Sequence, residues 1–61
     1  MKFQVVIDVE NAAFEGQSRG GELARILRTL AEKLADAPNG NIAGRLNDVN
    51  GNEVGRYGYI R

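Results

Sequence analysis

The chain has no cysteine, no histidine and no tryptophan, and only one proline. Without cysteine there is no disulfide framework, and without cysteine and histidine the usual zinc ligands are gone. The same two residues most readily supply or activate a nucleophile near neutral pH. Ser18, the only serine, therefore has no histidine to act as its base. An excess of one charge sign is also lacking: eight basic and eight acidic residues cancel to a formal net charge of +0. A balanced chain lacks the basic footprint that holds a nucleic-acid backbone without sequence preference. No apolar run approaches the roughly 20 residues that cross a bilayer. The short apolar alternation after Lys2 is broken by Asp8 and Glu10, unlike the core of a secretory leader. These absences point away from an enzyme, a metalloprotein, a nucleic-acid binder and a membrane protein, and no cofactor is expected. The lack of cysteine suits a reducing compartment, so a cytoplasmic setting is expected.

What is present is small. The 61 residues make one domain, residues 1–61. A core of this size rarely supplies more than about 3–5 kcal/mol without a disulfide, a metal or a partner. With the first two removed, efficient helix packing or self-association is left, and a homo-oligomer, most simply a homodimer, is expected.

Residues 2–9 alternate, with Phe3, Val5, Ile7 and Val9 on one side and Lys2, Gln4, Val6 and Asp8 on the other. Period two with β-branched residues predicts a half-buried strand. Residues 10–17 read as a loop, in which Phe14 is placed to fold back on the first turns of a following helix, as a staple does. Leu23, Ile26, Leu27, Leu30, Ala31 and Leu34 recur at three- and four-residue steps and predict a helix from Ser18 or Arg19 to about Asp36. Ser18 is the natural N-cap, Arg28 and Glu32 are spaced to pair, and Pro38 and Gly40 end the run. Residues 41–48 and 53–60 read as two further strands around an Asp48–Asn52 turn. Asn50 and Gly51 suit positions of positive φ there. The fold class is α+β, in the order β-α-β-β, with one helix packed on a three-stranded sheet. Setting the first strand beside the third makes that sheet fully antiparallel, which is slightly more stable per residue than the parallel alternative. Either order leaves the first strand at an edge, free to pair with a second copy.

Three patterns resemble sites and fail on inspection. Gly16 to Gly21 has the glycine spacing of a phosphate loop, but the next residue is Glu22 where a lysine belongs. Free amides at the helix start, with Ser18 and Arg19, leave room for weak anion binding; a flexible entry loop is the plainer account. Asp48, Asn50 and Asn52 match the start of a calcium loop, but Glu53 and Tyr59 stand where that loop needs glycine and glutamate. Side chains bonding their own turn explain them better. Asp8 and Glu10 form a carboxylate pair at a strand end, where acids are ordinarily solvated and protect the edge.

The third strand remains. If Val54 and Ile60 face the helix, Tyr57 and Tyr59 project from the open face of the sheet beside Ala43, Arg45 and Val6. Arg56 then sits awkwardly on the core side unless a bulge at Gly55 or Gly58 re-aims it. Tyrosine and arginine are enriched at interface hot spots, so Tyr57, Tyr59, Arg45, Arg56 and Arg61 are the candidate binding residues. The same set suits a nucleotide, with rings for stacking and guanidiniums for phosphate. Tyrosines also cover small sheets with no partner at all.

The segments Asn11–Phe14, Glu22–Arg28 and Asn50–Gly55 resemble those of very short proteins encoded by bacteriophages and prophages. The resemblance spans most of the chain on short motifs, and it carries no catalytic or binding residues with it. It implies a small soluble protein made inside a bacterial cell, of a kind that binds and blocks a host component, defence systems included. The expected function is a non-enzymatic, homodimeric binding protein acting on a host protein. The alternative is an oligomeric sponge that sequesters a nucleotide signal.

Overall fold

The computed structural model describes residues 1–16, 18–38 and 40–61. Strand β1 (Lys2–Ile7) leads through a 3-10 turn at Ala12–Phe14 into helix α1 (Ser18–Asp36), followed by β2 (Gly44–Asn47) and β3 (Glu53–Ile60). The sheet order is β1-β3-β2, and both pairings are antiparallel. This is the α+β, β-α-β-β arrangement expected, with the longest strand in the centre. Among the described residues no helix is long and apolar enough to cross a membrane.

The helix spans the predicted range. Ser18 is its first residue rather than its cap, and position 17 lies outside the described residues. The expected Arg28–Glu32 pair is not formed; the helix's ion pair is Arg25–Glu22, at 2.7 Å. Strand β2 is shorter than the predicted 41–48, because only Gly44–Asn47 lie against β3.

The core is Phe14, Ile26, Leu30, Leu46 and Val54. Phe14 does more than staple the helix start. Its ring is 0% exposed, because the 3-10 turn carries it under α1. Burying a side chain of this size stabilises by roughly 1.5–3 kcal/mol. Val5 and Ile7 of β1, and Val9 just beyond it, pack against this cluster, as the alternation predicts.

The hairpin loop Asp48–Asn52 is closed by Asp48 N–H to Asn52 O at 2.9 Å and Gly51 N–H to Asp48 O at 3.0 Å. Within this loop only Gly51 has positive φ, at 85°. The loop is thus a three-residue connection ending in a left-handed glycine, not a two-residue Asn-Gly turn.

One irregularity decides which side chains face where. Leu46 stands opposite Gly55, but Asn47 stands opposite Glu53, so Val54 is an extra residue on β3. Such a bulge interrupts the two-residue alternation. Val54 turns into the core, as expected, while the residues after it follow the opposite parity from the one expected. The strand runs so close to β1 here that a Cβ on Gly55 would fall on the Val6 carbonyl oxygen.

Candidate functional site

The bulge overturns the expected placement of the tyrosines. Tyr57 is half-buried on the helix side of the sheet, packed against the core, with Lys33 Nζ of α1 5.9 Å from its ring centroid. Its register partner on β2 is Gly44, where a Cβ would lie 2.8 Å from the Tyr57 hydroxyl. The missing side chain is what lets the ring lie across β2. Tyr59 follows on the same side, its ring centroid 5.0 Å from that of Phe3 in an edge-to-face arrangement, with Phe3 and Tyr57 at 6.4 Å. Such pairs contribute about 0.5–1.5 kcal/mol beyond area. Tyr57 therefore closes one end of the core, and Tyr59, 36% exposed, lies against Phe3 beyond it. Ile60, expected inside, is 45% exposed on the opposite face.

The open face keeps part of the expected set and gains members. Arg45 and Arg56 stand directly opposite one another on β2 and β3. Arg56 is not on the core side; the bulge sets it out on the open face. Both guanidiniums reach one carboxylate, with Arg45 Nε and Arg56 Nε each 3.4 Å from a different oxygen of Glu53. Two like charges opposite one another repel, and Glu53 screens them. Beside them Val6, Ala43, Gly58 and Ile60 floor a shallow groove of about 620 Å³. Val6 is 56% exposed there. Arg61 is exposed beyond the end of β3 and joins neither group.

A third cluster escaped the sequence reading. Glu22 and Asp48 are the two buried acidic residues, and they tie the helix, the hairpin loop and the β1–α1 connection together. Glu22 accepts from Arg25 Nε at 2.7 Å, from the second Arg25 nitrogen at 3.1 Å and from Val49 N–H at 2.6 Å. Arg25 also donates to the Asn47 carbonyl at 3.1 Å. Asp48 accepts from Asn50 N–H and Asn52 N–H at 2.9 Å, from Asn11 Nδ2 at 3.1 Å and from Asn52 Nδ2 at 3.2 Å. The Arg25 guanidinium holds the Glu22 carboxyl below the usual carboxylate range, helped by Val49 and opposed by burial. Burial pushes the Asp48 carboxyl up, but its amide donors outweigh it and the net direction is down. The apparent calcium pattern is thus a carboxylate already saturated by N–H donors. Glu22 had a sequence signal: with Ile26 and Leu30 it forms a four-residue repeat on the stripe that becomes buried.

Asp8 remains exposed at the end of β1, where its Oδ1 accepts Glu10 N–H at 2.9 Å. Among the described residues no group of three or more acidic side chains is arranged to hold a metal ion. No protein-family model matches the chain, and comparison with curated proteins and with solved structures likewise yields no match.

Proposed function

We propose that the protein is a non-enzymatic accessory protein of phage or prophage origin that acts as a homodimer. Its open sheet face docks on a host protein and blocks it, a defence component being the target that fits this setting. The observation that carries the reading is the uncovered second face of a sheet whose helix lies on the other side. There an apolar floor of Val6, Ala43 and Ile60 is flanked by two arginines whose side chains are 73% and 75% exposed. Exposed apolar surface rimmed by charge marks interaction sites. Lys2, Arg45 and Arg56 outnumber Asp8 and Glu53 on this face, so the complementary surface is apolar with acidic residues around it.

The binding role moves accordingly from the tyrosines to Arg45 and Arg56, with Val6 and Ile60 between the two strands' ends. Tagged protein recovered from bacterial lysate should retain one host protein in stoichiometric amount. Reconstituted from purified components, that complex should weaken by tenfold or more in the Arg45→Glu/Arg56→Glu variant. Equal affinity of wild type and variant sinks the assignment of this face.

The nucleotide-sponge reading draws on the same two guanidiniums, which already share one bidentate anion in Glu53. It loses its stacking platform, since Tyr57 and Tyr59 lie on the far side of the sheet. A gain of several degrees in Tm with one member of a nucleotide panel would favour it, because a ligand of the native state stabilises by mass action.

A further inference from the structure

The free edge of β1 has a hydrogen-bonding sense that follows from the register. Asp8 N–H donates to Val54 O at 2.7 Å, one step beyond the Ile7–Gly55 pair. In an antiparallel ladder, directly bonded pairs alternate with unbonded ones. Asp8, Val6, Gln4 and Lys2 therefore turn their N–H and C=O groups toward β3. Phe3, Val5 and Ile7 turn theirs outward, and among the described residues no hydrogen bond from outside the sheet reaches them. The edge has no proline and no bulge, and it is longer than the four-residue β2 edge opposite.

We infer that this edge pairs with β1 of a second copy, antiparallel about a two-fold axis at Val5, to form a continuous six-stranded sheet. The inference rests on the homodimer reading above and assigns it an interface and a register. In this register Phe3 bonds with the partner's Ile7, Val5 with the partner's Val5, and Ile7 with the partner's Phe3, so every outward-turned group on the three residues is satisfied. Lys2 then stands directly across from the partner's Asp8, and by symmetry Asp8 across from the partner's Lys2, both on the open face. Opposite charges directly across a pair of strands stabilise it. Asp8 spends only Oδ1 on Glu10, which leaves Oδ2 for the lysine.

Sliding one copy by two residues keeps the bonding sense but loses this match. In one direction Lys2 faces the partner's Val6. In the other it is carried to the partner's Glu10, where the chain has already left the strand at Ile7. The Val5 register also brings Phe3, 37% exposed in one copy, beside the partner's Ile7. A two-fold axis perpendicular to the sheet sets both open faces on the same side and both helices on the other.

The test uses the purified full chain without any host protein, so its result is separate from that of the docking proposal. Sedimentation equilibrium should give a dimer. Amide exchange should show Phe3, Val5 and Ile7 gaining protection as concentration rises, with Gln4 and Val6 protected throughout by β3. Lys2→Asp and Asp8→Lys should each weaken the dimer about tenfold by setting like charges opposite one another, and the double variant should restore it. A monomeric mass at all concentrations with native circular dichroism overturns the inference. So does a dimer in which those three amides gain no protection, or single variants that associate as tightly as wild type.

Discussion

Asp48 and Glu53 flank the same hairpin loop, and each collects several donors, yet the two carboxylates do different things. Asp48 is 4% exposed and takes four bonds of 2.9–3.2 Å from amide groups, three of them from Asn50 and Asn52 of the loop itself and one from the Asn11 side chain. Glu53 faces the open side and takes two longer contacts of 3.4 Å from arginine side chains that are free to leave. Two of the Asp48 donors are main-chain N–H groups fixed by the turn, the other two are short amide side chains, and burial removes the competing water. Donors on long exposed side chains must be ordered for the purpose and are screened by solvent, so such pairs contribute little. The covered face of the sheet therefore specifies the fold, and the open face is left free to change partners.

The largest test of that division lies in the core. Phe14→Ala should cost about 3–5 kcal/mol, comparable to the whole stability of a core this size. Circular dichroism should show a chain largely unfolded at room temperature; a cooperative melt near the wild-type Tm would put the centre of the core elsewhere. Gly55→Ala comes next, at about 1–3 kcal/mol, because the added methyl strikes the β1 main chain rather than a side chain that can swing away. Urea titration reads it directly.

Acid sharpens the comparison. Glu22 and Asp48 both have folded pKa values held below their ordinary ones. Their contribution is present above the unfolded values, near pH 4, and is lost as pH falls through the lower folded values. Thermal melts from pH 7 to pH 2 should show Tm falling mainly below pH 4. Glu22→Gln and Asp48→Asn should lower Tm at neutral pH and flatten that acid limb. Smallest of all, Arg45→Ala or Arg56→Ala should move stability within about 0.5 kcal/mol, and a larger loss would make the open face part of the scaffold.

Much of the fold was legible because its signals are local. The alternation from Phe3 to Val9, the apolar stripe of α1 and the turn residues around Gly51 each determine an element without reference to the rest. The antiparallel sheet order followed from pairing energetics. The facing of β3 was not legible, since Val54 and Tyr57 differ in parity and only a bulge lets both turn toward the helix. Gly55 and Gly58 marked where a bulge could re-aim Arg56, but its place, and its turning of Tyr57 inward, depend on Asn47 pairing with Glu53 across the hairpin. Asp48 bonds its own turn, as the sequence predicts; its bond from Asn11 and the whole setting of Glu22 were missed for a related reason. A carboxylate looks solvated or repulsive until the donors brought to it by distant segments are in place.

The unpaired Val54 also divides β3 into two reading frames. From Gly55 onward the strand keeps one register with β2, and at Glu53 another, while its register with β1 runs unbroken through Val54. Removing that one residue would turn over the side chains on one side of the junction relative to β2. The facing of Tyr57 and Tyr59 thus hangs on a single residue at the hairpin end of the strand.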